Sequence, residues 1–148
     1  MICSILFATF INITGGVYYD EDHRVETCAA VMSEAKRQGV DPKLAVAVAW
    51  SESRWYAAVT NKRSGAKGPL QILPRYWCPS ADGVWRIHEL GVSKCNYLKG
   101  GVRALKYYTT HRKTLRGAIA SFGYKPLDHP YVDEIIKLHR GAKSARTP

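Results

Sequence analysis

The sequence predicts a single, mainly α domain, and three observations carry that reading. A chain of 148 residues suits one domain with one core. Its 46% hydrophobic and 23% charged residues are ordinary for a globular protein and exclude wholesale disorder. Apolar residues recur at helical spacing in several segments that begin and end with helix-capping signals. No internal repeat or low-complexity stretch interrupts them.

The chain opens with "MICSILFATFINITGG", a run of about a dozen mostly apolar residues where a spanning helix needs ~20. No stable membrane span is therefore expected. The length suits the apolar core of an export signal, with Gly15 and Gly16 near a plausible cut, although no Lys or Arg precedes the run and no A-x-A site follows it. The competing reading is a buried N-terminal strand or helix of the mature fold. Residues 1–16 are thus expected as a leader or anchor, 17–140 as the folded domain and 141–148 as a basic mobile tail.

The next segment places Val25, Cys28, Ala29, Met32 and Ala35 at helical spacing. Asp20, Glu21 and Asp22 precede its first turn, Lys36 and Arg37 fall in its last, and Gly39 ends it, as the helix dipole favours. Asp41 then caps a second helix with Pro42 in its first position. That helix, "KLAVAVAWSES", is apolar nearly all round and reads as central and buried. From Arg54 to Gly68 the pattern gives way to a loop. A short helix is expected from Pro69 or Pro74, and an irregular segment from Cys78 to Lys94. Three further helices follow: one through Leu98, Val102, Leu105 and Tyr108, a short one in "TLRGAIASFG", and one carrying Val132, Ile135, Ile136 and His139. The histidines are read as surface or helix-face residues.

The net charge of +10 favours polyanionic partners: nucleic acid, anionic lipid or an acidic envelope polymer. A basic surface that only aids solubility explains the same charge. The cysteines Cys3, Cys28, Cys78 and Cys95 form no C-x-x-C pair. Cys78 and Cys95 flank a loop containing Pro79, Gly83 and Gly91, and a disulfide between them would contribute about 3 kcal/mol in an oxidising compartment. Cys28 reads as a small core residue.

Glu52 is the single acid between Ala47 and Ile72, placed where the apolar helix meets the loop. A carboxyl in such a place loses hydration, which favours its neutral form and lets it act as a proton donor to a poor leaving group. A surface glutamate paired with Arg54 or Lys62 is the plainer reading. Gly65 and Gly68 permit close backbone approach, Gln71 adds an amide, and Trp50, Trp55, Tyr56, Tyr76 and Trp77 offer faces for sugar rings or for a core. Trp50 is expected in the core.

These residues resemble the catalytic domain of the lytic transglycosylases, the soluble-transglycosylase branch of the lysozyme superfamily. The resemblance rests on Glu52-Ser53, on Gly68-Pro69-Leu70-Gln71, on a degenerate "ASFGYKP" from Ala120 to Pro126, and on Tyr131-Val132 before the last helix. It implies a lysozyme-like domain that cleaves the β-1,4 bond between N-acetylmuramic acid and N-acetylglucosamine in peptidoglycan, with Glu52 first acid and then base, and a 1,6-anhydro product. It also implies substrate-binding roles for Asn61, Gln71 and Tyr124. In the third motif Phe122 stands at the usual Tyr position and Gly123 at the usual Asn. The expected tyrosine partner of Glu52 is therefore lost, and Tyr124, Tyr107 or Tyr108 are the candidates to replace it.

Other chemistry finds little support. His88-Glu89-Leu90 lacks the second histidine of a zincin, and Cys78, His88 and Cys95 offer only three zinc ligands, so no metal and no cofactor is expected. No G-x-S-x-G surrounds Ser51 or Ser53. Hydrolysis of the same bond, or a non-catalytic basic glycan-binding module, are the alternatives. The stripe Arg103 to Arg116 has a composition suited to nucleic acid but reads more simply as a basic helix face, so no nucleic-acid partner is expected. The expected form is a monomer acting on glycan strands in the periplasm or wall, or in virion-associated host lysis as an endolysin of a bacteriophage.

Overall fold

The computed structural model describes residues 2–78 and 96–146. Seven helices make up the architecture of those residues: α1 Ile2–Thr14, α2 Glu21–Gln38, α3 Pro42–Ser53, α4 Pro74–Trp77, α5 Tyr97–His111, α6 Leu115–Gly123 and α7 Pro130–Ser144. Helix α3 is the centre, packed between α2 and α7, while α5 rests on α2, α4 and α6. From Leu44 to Trp50 every side chain of α3 is buried, as its all-round apolar sequence requires.

The caps do what the sequence predicts. Asp41 Oδ1 accepts the backbone N–H groups of Lys43 and Leu44 at 2.9 and 3.4 Å, with Pro42 in the first turn. Gly39 closes α2 in the left-handed region, its N–H turned to the Ala35 and Lys36 carbonyls. Asn96, Thr114 and His129 cap α5, α6 and α7. The other oxygen of Asp41 accepts from His139 Nε2 at 2.8 Å, tying α7 to the start of α3. His139 is therefore a helix-face residue, on the buried face of α7.

The segment expected as a leader or anchor is helix α1 of the packed domain. Leu6 and Phe10 are fully buried, and Phe7 and Phe10 pack edge-on or tilted against Trp50 and Trp55 with ring centroids 5.3–6.3 Å apart. Trp50 Nε1 donates to Thr14 Oγ1 at 3.1 Å, and Cys3 is disulfide-bonded to Cys28 of α2. Cys28 is in the core, as expected, but as half of a crosslink. Cys78 is also disulfide-bonded; Cys95, its expected partner, lies outside the described residues, as do His88 and the segment expected to be irregular. Helix α7 runs on into the expected tail as far as Ser144, because Ala142 is buried and Gly141 lies against Ile13 of α1. No helix among the described residues is long and apolar enough to cross a membrane.

Candidate active site

The C-terminal end of α3, the loop from Arg54 to Leu73, α5 and the turn between α6 and α7 enclose a cleft of about 350 Å³. Glu52 sits in its wall, together with Asn61, Gln71, Trp77, Tyr108, Tyr124, Lys125 and Tyr131. The four sequence-predicted residues Glu52, Asn61, Gln71 and Tyr124 are thus brought together.

Local chemistry explains how. Ser53, the second residue of the Glu-Ser pair, is buried and lies 2.7 Å from the Pro69 carbonyl oxygen and 3.0 Å from that of Ala49. It ties the end of α3 to the Gly-Pro-Leu-Gln element, which fixes Glu52 relative to Gln71. Arg54 and Trp55 both take left-handed backbone, φ 54° and 61°, and this reversal folds the Trp55 indole back beneath α3, where Nε1 donates to the Val46 carbonyl at 2.8 Å. Left-handed backbone at non-glycine residues costs of order 1–3 kcal/mol each and collects at functional sites. Trp55 is core, as Trp50 is; Tyr56 packs at a tilt against His23 and is absent from the cleft wall. Among the described tryptophans, Trp77 is the one that lines the cleft.

Gln71, also left-handed at φ 51°, directs Nε2 to the carbonyl oxygens of Val59 and Gly68, both at 2.9 Å. Two carbonyl partners fix the orientation of the amide, so its donors are spent on the loop and its carbonyl oxygen is what it offers a ligand. Asn61 Oδ1 likewise accepts from the backbone of Arg63 and Ser64 at 2.9 and 3.1 Å, an Asx turn that shapes the loop. Gly68, at φ 83°, lies where an added Cβ would come within 2.5 Å of Tyr97 Cβ; no side chain fits.

The hydrogen-bond partner of Glu52 is Tyr131, at the start of α7, whose hydroxyl donates to Oε2 at 2.7 Å. None of the expected replacements fills this role: Tyr108 and Tyr124 lie beside each other in the cleft, and Tyr107 stacks on His111 with centroids 4.2 Å apart. Gly123 makes the arrangement possible. A Cβ at Gly123 would stand 2.3 Å from Tyr131 Cε1, so the ring passes through the space that a side chain would fill. The departure of the third motif from its usual form, Phe122 and Gly123, is thereby matched by a tyrosine arriving from another helix. Phe122 is buried against Tyr108.

Burial pushes the Glu52 carboxyl up to about 7, against the opposing pull of the Tyr131 hydrogen bond and the Lys125 charge. The side chain keeps access to the cleft, yet protein atoms crowd it closely enough to hydrate it poorly. Tyr131 is held far above the ordinary phenol range by burial and by the neighbouring Glu52, so it remains a donor. Burial also raises Tyr108, to about 12. Glu52 is the one acid lining the cleft among the described residues. Asp128 is exposed outside it, Asp82 and Glu89 lie outside the described residues, and Glu134 is bonded to Ser51 at 2.6 Å and to Arg54 at 3.4 Å. No cluster among the described residues could hold a metal ion.

Fold and site together define a mainly helical domain built around one poorly hydrated glutamate. Residues 29–86 of the 148 match the family model of the transglycosylase SLT domain, and the match supports a lytic transglycosylase, lysozyme-like assignment. An SLT domain implies a peptidoglycan substrate and action outside the cytoplasm. The matched segment contains Glu52, Asn61 and Gln71; Tyr124, Lys125 and Tyr131 lie beyond it. Comparison with curated proteins found no match, and comparison with solved structures found none.

Proposed function

We propose that the enzyme cleaves the β-1,4 bond between N-acetylmuramic acid and N-acetylglucosamine without water, leaving a 1,6-anhydro end. The observation that carries this reading is Glu52: one carboxyl, raised to about 7, with no second acid in the cleft among the described residues. Glycosidases that use two carboxylates hold them ~5–9.5 Å apart, the second serving as nucleophile or water-activating base. Here the substrate supplies what the second acid would.

Neutral Glu52 donates its proton to the bridging oxygen as the bond from that oxygen to the muramoyl anomeric carbon breaks, and the N-acetylglucosamine side leaves as an alcohol. The acetamido oxygen of the muramoyl residue stabilises the positive charge left at the anomeric carbon. Glu52, now a carboxylate, takes the proton of the muramoyl 6-hydroxyl while that oxygen closes onto the anomeric carbon. The acid is restored and no water is consumed. Tyr131 holds the carboxyl in place and stabilises the anion formed midway. Asn61, Gln71 and Tyr124 line the sugar path, with Gln71 accepting from a sugar N–H or O–H.

The disulfide between Cys3 and Cys28 fits an enzyme that works in an oxidising compartment beyond the cytoplasm. The test is digestion of purified peptidoglycan by the wild-type protein and by Glu52→Gln, with the released muropeptides identified by mass. Anhydro ends that vanish in the variant support the reading. Reducing ends would assign hydrolysis instead, and retained sugar binding with no release would assign a glycan-binding module.

A further inference from the structure

Among the described residues, the charged side chains lining the cleft are Glu52 and Lys125. Lys125 has no role in the proton transfers above, and its charge works against the neutral state of Glu52 that those transfers need. A cation kept at such a disadvantage calls for a function of its own.

Its setting is that of a receptor. Tyr124 ends α6 in the left-handed region at φ 53°, the Lys125 N–H donates to the Ala120 carbonyl at 2.9 Å, and Pro126 follows. Beyond it, Arg116 Nη1 donates to the Leu127 carbonyl at 2.7 Å while its Nη2 pairs with Asp133 of α7 at 2.9 Å. The turn is thus fastened at both ends, and the side chain projects from a fixed base into the cleft. Arg37, Arg54 and Arg116 are each paired with an acid, whereas the Lys125 ammonium forms no ion pair among the described residues. A fixed base, an ammonium without an ion pair among the described residues, and a place in the cleft wall from which its charge acts on Glu52 suit an anionic substituent of the substrate.

We propose that Lys125 binds a carboxylate carried on the 3-O-lactyl arm of the muramoyl residue, either the lactyl carboxylate itself or one of the attached peptide. The cleft then distinguishes acidic glycan from a neutral β-1,4 N-acetylglucosamine polymer of the same backbone. This rests on the proposed substrate and deepens it. Pairing also neutralises the charge that opposes Glu52, so substrate arrival favours the protonated acid. The groups that act on Glu52 are Tyr131 from α7, by its hydrogen bond, and Lys125 from the turn, by its charge; Tyr108 from α5 and Tyr124 from the turn line the same cleft without charge, so among these only Lys125 carries a charge that an anionic ligand would cancel.

The test measures binding separately from turnover. In the Glu52→Gln background, affinity is measured for soluble glycan strands bearing peptides, for strands stripped of peptides, and for both with every carboxylate converted to a neutral amide. Adding Lys125→Met should weaken binding of carboxylate strands about three- to tenfold, the range of a partly exposed charge pair, while Lys125→Arg retains it. The loss should shrink as salt is raised. Amidated strands should bind both proteins alike. Loss confined to peptide-bearing strands names the peptide carboxylate, and loss on stripped strands names the lactyl group; either supports the proposal. Equal loss on amidated strands, no loss on carboxylate strands, or no binding of any strand by the parent would overturn it. Cleavage by the wild-type protein is scored independently, so a failed enzyme reading with an intact Lys125 effect is recognisable.

Discussion

The Tyr131 hydroxyl lies 2.7 Å from Glu52 Oε2 although 79 residues separate the two in sequence. The bond joins the end of the buried helix α3 to the start of α7, and it favours the ionised carboxyl while burial favours the neutral one. Replacing Tyr131 with Phe removes the first influence and keeps the second. The Glu52 carboxyl should then rise further, and the alkaline limb of the kcat against pH curve, which reports loss of the acid, should move up in pH. The plateau should fall by about ten- to a hundredfold, since the carboxyl is no longer held in place.

Gly123 is the gap that admits the Tyr131 ring. Gly123→Ala would place a methyl group 2.3 Å from Tyr131 Cε1, so the ring must move. The expected cost is about 1–3 kcal/mol in stability, as for overpacking elsewhere. The drop in kcat should approach that of Tyr131→Phe, and Gly123→Ala added to Tyr131→Phe should change kcat little further.

Glu52→Gln should show the opposing demands of function and stability. The folded carboxyl is raised to about 7, above its unfolded value, so the unfolded state releases its proton first as pH rises. Native stability is therefore fullest below the unfolded value, near 4.5, and declines as pH rises through 7. Glutamine has no charge to bury. The variant should melt with the wild type at pH 4 and above it at pH 8, by about 1–3 kcal/mol after allowance for water in the cleft. Thermal denaturation at the two pH values measures this. Activity should fall by about a hundred- to ten-thousandfold, the range for a lost general acid.

The disulfide between Cys3 and Cys28 closes a sequence separation of 25 residues and secures α1 against the tryptophans beneath α3. Cys3→Ala should reduce stability by about 2–4 kcal/mol, read as a lower melting temperature at pH 7. Since α1 touches the far side of α3 rather than the cleft, kcat at low temperature should hold.

Much of the fold was legible because its signals are local. Asp41-Pro42 and Gly39 mark helix ends through hydrogen bonds within a turn or two, and the apolar run from Leu44 to Trp50 has no face that water would solvate. Glu52, Asn61 and Gln71 were legible as a group through the resemblance, whose Glu-Ser and Gly-Pro-Leu-Gln elements stand in a set order on either side of the loop. Helix α1 was legible only as an apolar run, since a buried helix and an export signal demand the same dozen apolar residues, and its contacts with Trp50, Trp55 and Cys28 join segments far apart in sequence. Tyr131 was missed as the partner of Glu52 for a related reason. A tertiary contact across two helices leaves no periodic trace among nine tyrosines. The available signal was Gly123, a missing side chain at a position where a polar one was expected, which marks a place where something else must pass.

In the proposed reaction one glutamate cuts the glycan with the substrate's own hydroxyl as nucleophile. Digesting peptidoglycan in water enriched in the heavy oxygen isotope, and weighing the new muramoyl ends, tests that directly. The prediction is anhydro ends free of label, formed by the wild type and absent with Glu52→Gln. Labelled reducing ends would show that water attacks, and would contradict it.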